Sequence, residues 1–162
     1  MAKTHWLGIA GSRELFAGAM TDTYWCLPVD ASENDCILFY RPRAVGFEHH
    51  GIFAEGVVKS RPADVNAENT RCLQFGRLDH LGPLRHVAVT IERRFKPPLT
   101  TKEIKRDAVL HSEAFIRRNF QGTTFRLRSA TYQRLVRLAQ ANVKLHDGAV
   151  DRRRLRESAR TR

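Results

Sequence analysis

Trp6, Tyr24, Trp25, Phe39 and Tyr40 fall at or beside the ends and turns of expected strands. Flat rings in such places can hold a flat partner, since stacking one nucleobase on an aromatic side chain contributes ~1–3 kcal/mol. Trp25 stands before Cys26-Leu27-Pro28 in a segment that reads as too short for a regular core element. It is therefore either one wall of a slot for a base or a plug at one end of the core.

Catalytic signatures are missing by comparison. There is no G-x-x-x-x-G-K-[ST] phosphate cradle and no G-x-S-x-G nucleophile elbow around Ser12. The three cysteines and seven histidines form neither a C-x-x-C nor an H-x-x-x-H pair, so neither a metal nor a cofactor is expected. Cys26, Cys36 and Cys72 are an odd number at wide spacing, which fits a reducing cytosol better than a disulfide framework. Neither a membrane-spanning apolar run nor an apolar leader segment is visible, so a cytoplasmic monomer is the expectation.

Charge points to the partner. The chain has 162 residues and a formal net charge of +11. Residues 1–82 hold 8 Lys/Arg against 10 Asp/Glu, whereas residues 83–162 hold 20 against 7. An anionic partner is implied, and nucleic acid is the commonest. Arg93, Arg94, Lys96, Arg117, Arg118, Arg126 and Arg128 are the candidate phosphate contacts, with the arginines of 152–162 as a non-specific tether. The bland alternative is that these arginines decorate solvated helix faces.

The elements that must position these residues can be read in order. His5 to Ala10 reads as a strand, and Ser12 can cap a helix carrying Leu15, Phe16, Ala19 and Met20 on one face. Thr23 to Cys26 is a short aromatic segment, and Asp30 to Asp35 a polar turn. Cys36 to Tyr40 is a strand apolar on both faces; Gly51 to Val58 is the next, with Gly56 marking a bulge or close approach. Leu84 to Phe95 is a long strand that Pro97-Pro98 should break. Thr100 and Glu103 are spaced as a capping box, and Ser112 is the expected cap of the following helix. A strand over Thr123 to Leu127 leads into a last helix from about Ala130 to Ala141, whose core face is Tyr132, Leu135, Val136 and Ala139. One domain over 1–145 and a basic tail over 146–162, disordered or weakly helical, complete the division. This order predicts an α+β fold: a small curved β-barrel of about five to six strands with helices packed outside it.

The ordered set Trp6-Leu7, Gly11-Ser12-Arg13, Tyr24-Trp25-Cys26, Leu38-Phe39-Tyr40-Arg41-Pro42 and Gly51 to Val57 resembles the EVE family and, more distantly, the YTH family. Pro97-Pro98-Leu99-Thr100 and Phe115 to Thr123 continue the EVE-like pattern. The resemblance implies a PUA-like barrel with a pocket for one nucleobase, often a modified one. It implies Trp25 as a wall of an aromatic cage, and the turn at Ala10, Gly11, Ser12 and Arg13 as the source of polar groups to the base edge. Here that turn reads Gly11-Ser12-Arg13 where EVE proteins commonly read S-E-P.

The expected mechanism is a single methylated or hydroxymethylated base, in DNA or RNA, turned out of its strand and held between Trp25 and either Tyr40 or Trp6. Groups near Gly11 and the Ser12 hydroxyl read its edge, while Tyr24 lines the site or faces the core. Asn119 and Gln121 are rim hydrogen bonders, although Asn119 could equally cap a helix. The rival reading is a ribonuclease of the ASCH type using Arg13, Tyr24 or the His49-His50 pair.

Overall fold

The computed structural model describes residues 3–10, 22–42, 50–62 and 84–160, with side chains given up to 150. The six strands are β1 (His5–Ile9), β2 (Asp22–Pro28), β3 (Cys36–Arg41), β4 (Gly51–Val58), β5 (Leu84–Leu99) and β6 (Thr124–Leu127). The described helices are α1 (Thr101–Arg106), α2 (Ala114–Arg117) and α3 (Ser129–Arg160). The helix expected after Ser12 lies outside the described residues.

One sheet in the order β2-β5-β4-β3-β1-β6 contains all six strands. Among the described strands only the β1–β3 pairing is parallel. Strand alternation sends neighbouring apolar residues to opposite faces, which explains why β3 is apolar on both. Trp6, Ile37, Phe39, Val87 and Val89 share an inner cluster, whereas Leu7, Leu38, Tyr40 and Ile52 join an outer cluster covered by the helices. Register shifts after Phe39, after Ile52 and after Glu55 bend the sheet. At the last of these Gly56 is required, since a Cβ there would sit 2.7 Å from the Thr90 carbonyl oxygen.

The curl brings the two edge strands together. The Thr124 hydroxyl on β6 accepts from Trp25 Nε1 at 3.2 Å and donates to the Cys26 carbonyl on β2, also at 3.2 Å. Arg126 pairs with Asp30 across the same seam. The result is a curled half-barrel with helices beside it, as the sequence pattern predicts.

Several local expectations change. The aromatic segment around Trp25 is a full edge strand, paired with β5 from Asp22–Thr90 to Pro28–Leu84. The two prolines do not end β5, because the β4 ladder passes from Ala54–Arg94 to Ile52–Leu99. Residues 95–98 therefore lie in a bulge, where a missing N–H breaks no ladder bond; the Lys96–Pro97 bond is cis.

The capping box forms: Thr100 Oγ1 accepts from Glu103 N, and Glu103 Oε2 accepts from Thr100 N at 2.7 Å. Glu113, not Ser112, is the N-cap residue of α2, and it caps without a side-chain bond. Its carboxylate instead takes the Thr131 hydroxyl at 2.8 Å and pairs with Arg128. The last helix buries Tyr132, Leu135, Val136 and Ala139 as expected, and it runs on to Arg160 through the residues read as a basic tail. Tyr132 ties it to the sheet by donating to Glu55 Oε1 at 2.5 Å. Burial, then the Glu55 carboxylate, push the Tyr132 phenol far above its ordinary range. Cys26 is disulfide-bonded and Cys36 is free, which departs from the expectation of reduced thiols. No described helix is long and apolar enough to cross a membrane.

Candidate nucleic-acid interface

Trp25 is the centre of the candidate site. It sits in mid-β2, opposite Val87, so its side chain faces the inside of the curl. The indole is half-buried. Three contacts hold it: the hydrogen bond to Thr124, an edge-on contact with Phe39 at 5.1 Å and 79°, and the bare backbone of Gly8 beneath it. A Cβ on Gly8 would lie 2.7–2.8 Å from the indole, so a glycine is what lets the ring lie flat against β1.

Next to Phe39 the inner face carries Phe53, with ring centroids 6.3 Å apart. The Arg41 guanidinium lies 5.6 Å over the Phe53 ring, and burial lowers its pKa from the ordinary arginine value. Arg94 holds the register position opposite Ala54 and is half-buried. The inner face thus combines aromatic rings with arginines of planar, multi-donor geometry. Such a surface can stack a flat heterocycle and donate hydrogen bonds to its edge.

The other aromatics expected here stand elsewhere. Trp6 is sealed at 0% exposure; its Nε1 donates to Asp35 Oδ2 at 3.0 Å, and Arg126 covers its ring at 4.9 Å. Tyr40 belongs to the opposite face, stacked on Phe120 at 4.1 Å and hydrogen-bonded to the Thr101 hydroxyl at 2.6 Å. Neither offers an open ring face to Trp25, because alternation along β3 gives Phe39 that place and a sealed core takes Trp6. Tyr24 faces neither the core nor Trp25: it is 64% exposed on the outer face.

Ala10 is buried, its N–H bonded to the Tyr40 carbonyl at 2.8 Å. Gly11, Ser12 and Arg13 lie outside the described residues, as does His49, whereas His50 stands half-buried before β4. Asn119 is exposed with φ 50° and accepts from Lys105 Nζ at 2.8 Å; the cap of α2 is Arg118. Gln121 is exposed on the same connection.

The basic residues differ in what already holds them. Arg93 pairs with Glu55 at 3.4 Å, Arg126 with Asp30, and Arg128 with Glu113. Lys96, Arg117 and Arg118 are exposed. Sequence reasoning missed Gly8, Thr124, Phe53 and Arg41. Arg41, directly after an aromatic strand, carried a signal; Thr124 carried none, since its partner is 99 residues away.

A six-stranded curl with this strand order and its helices packed on one side defines a small α+β PUA-like barrel. Neither a family model nor a curated protein matches the sequence. Solved structures share the fold. A hypothetical protein from Leishmania major aligns at 18% identity and a TM-score of 0.62, over 87% of this chain and 97% of that one. A Pseudomonas syringae protein aligns at 13% and 0.62, over 83% and 99%. Human THYN1, in complex with 5-methylcytosine-containing DNA, aligns at 14% and 0.59, over 85% and 98%.

Proposed function

We propose that the protein binds nucleic acid and holds one base, methylated or hydroxymethylated, against the inner face of Trp25. The observation that carries this reading is the state of that indole: fixed by Thr124, Phe39 and Gly8, yet only half-buried. A ring pinned in place loses little entropy when a base stacks on it. Phe39, backed by Phe53, buttresses the indole from the core, and the half-buried Arg41 is the donor placed to read a base edge. Supporting the reading, human THYN1, which shares this fold, is seen with 5-methylcytosine-containing DNA.

Phosphates would be gripped by the exposed Lys96, Arg117 and Arg118, with Arg94 and the ion-paired Arg93, Arg126 and Arg128 as further contacts. These contacts set position and salt dependence, while the pocket discriminates. One methyl group contributes only ~0.8 kcal/mol, about a fourfold preference, so a larger ratio requires a polar contact that the unmodified base leaves unmade.

The test is affinity for matched oligonucleotides, DNA and RNA, with and without the modified base, for the native protein and for Trp25→Ala. The native protein should prefer the modified strand and Trp25→Ala should lose that preference. An unchanged ratio in Trp25→Ala sinks the pocket assignment.

A further inference from the structure

Tyr24 lies next to Trp25 in sequence, and strand alternation places the two side chains on opposite faces of β2. Tyr24 is the most exposed aromatic residue described, at 64%, although an exposed ring loses the burial it would gain in a core. It is not loose. One ring face stacks on His86 of β5, with centroids 4.4 Å apart and planes 15° from parallel.

The surface beside it is small and carries one charge of each sign. Tyr24 pairs with Ala88 in the register, and Lys59 N donates to the Ala88 carbonyl at 2.8 Å. Tyr24, Ala88 and Lys59 therefore form one row on the outer face, with an aromatic ring at one end and an exposed lysine at the other. Asp22, two residues before Tyr24, is engaged by the Thr90 hydroxyl at 2.7 Å. A polyanion crossing this surface is thus favoured on the Lys59 side and opposed on the Asp22 side.

We propose that the Tyr24–His86 pair is a stacking platform for a base flanking the one held at Trp25. The inference rests on the pocket reading above and extends it to a second contact. β6 closes the free edge of β2 from Trp25 onward. Ahead of Trp25 no described strand pairs with that edge, so a chain of nucleotides can pass there with one base on the inner face and its neighbour on the outer. A pre-stacked pair presents its remaining ring face without further ordering, and base–aromatic stacking tolerates any base. Lys59 then meets the phosphate of the outer nucleotide. The occupant is a single-stranded or locally opened nucleic-acid segment, because a base within an intact duplex keeps both faces covered by its neighbours.

The experiment compares Tyr24→Ala, Tyr24→Trp and Trp25→Ala by fluorescence anisotropy. The probes are short single-stranded DNA and RNA oligonucleotides with one central 5-methylcytosine or cytosine, either intact or with abasic nucleotides on both sides of it. Tyr24→Ala should weaken binding of the intact strand about tenfold, Tyr24→Trp should retain native affinity, and neither should change the methylated-to-unmethylated ratio. Against the abasic-flanked strand, Tyr24→Ala should bind as the native protein does. Native affinity in Tyr24→Ala, or an equal loss on intact and abasic-flanked strands, overturns the platform. An unchanged ratio in Trp25→Ala overturns the pocket alone, and absence of binding to every strand overturns both. Since the Tyr24 ring is mostly in water, a change in thermal stability of Tyr24→Ala is not expected, which separates the binding loss from misfolding.

Discussion

Replacing Gly8 by alanine places a methyl carbon where the Trp25 indole already lies, 2.7–2.8 Å from three of its atoms. Neither partner can give way within the strand, since β1 is paired on both sides and the indole is a rigid bicycle. The ring must therefore swing outward and break its bond to Thr124. Overpacking of this kind costs about 1–3 kcal/mol, and the lost hydrogen bond about 1 kcal/mol more. Because Trp25 is only half-buried, undocking the ring caps the strain, and a net loss of about 2–3 kcal/mol is expected. For a chain of this size that lowers Tm by about 4–12 °C, measurable by circular dichroism. The decisive control is the same substitution in a Trp25→Ala background. There the methyl meets open space, and alanine should be neutral or up to about 1 kcal/mol stabilising, since glycine is the poorer strand former. A native Tm in Gly8→Ala, or the same loss in both backgrounds, refutes the placement of the indole over β1.

Two further outcomes follow from buried groups. Asp35→Ala removes the acceptor of Trp6 Nε1, Thr4 N and Ser32 N, leaving three donors to be re-solvated. The buried Trp6 Nε1 left unsatisfied costs about 1–3 kcal/mol, while the Thr4 and Ser32 N–H groups can turn to water and lose at most about 1 kcal/mol each. Urea unfolding should show a loss of about 2–4 kcal/mol, and a loss below ~1 kcal/mol would contradict that network. Asp107 accepts from Arg134 at 2.7 and 3.0 Å and from the backbone N–H groups of Val109 and Leu110. The Arg134 hydrogen bonds, ahead of the backbone ones, hold its pKa below the ordinary range despite some desolvation. The unfolded carboxyl titrates near ~3.9, so the contribution is complete above that pH and is lost as pH falls through the lower folded value. The Tm gap between the native protein and Asp107→Asn should be full near neutrality and should close in acid; a gap independent of pH refutes it.

Much of the architecture was legible because it depends on short-range pattern. The apolar run of β3, the β4 limits at Gly51–Val58, the bulge at Gly56 and the box at Thr100 and Glu103 all follow from neighbours a few residues apart. The errors share a cause. β2 read as too short because an edge strand needs a partner, and its pairs on β5 lie 56 to 68 residues away. Pro97-Pro98 read as a stop because the bulge that accommodates them is a property of the β4–β5 register.

The site divides in the same way. Sequence alone determined that the chain is a basic α+β protein and singled out Trp25, since residue types and local period require no partner, although the aromatics it placed at strand ends lie within β1, β2 and β3. Only the tertiary structure decided which aromatics share a face with it. The sheet's curl brought Gly8, Phe39 and Thr124 to Trp25, sealed Trp6 with Asp35, turned Tyr40 to the helices and left Tyr24 stacked on His86 in solvent. Pattern records which residues alternate; the closure of a sheet on itself decides what they meet.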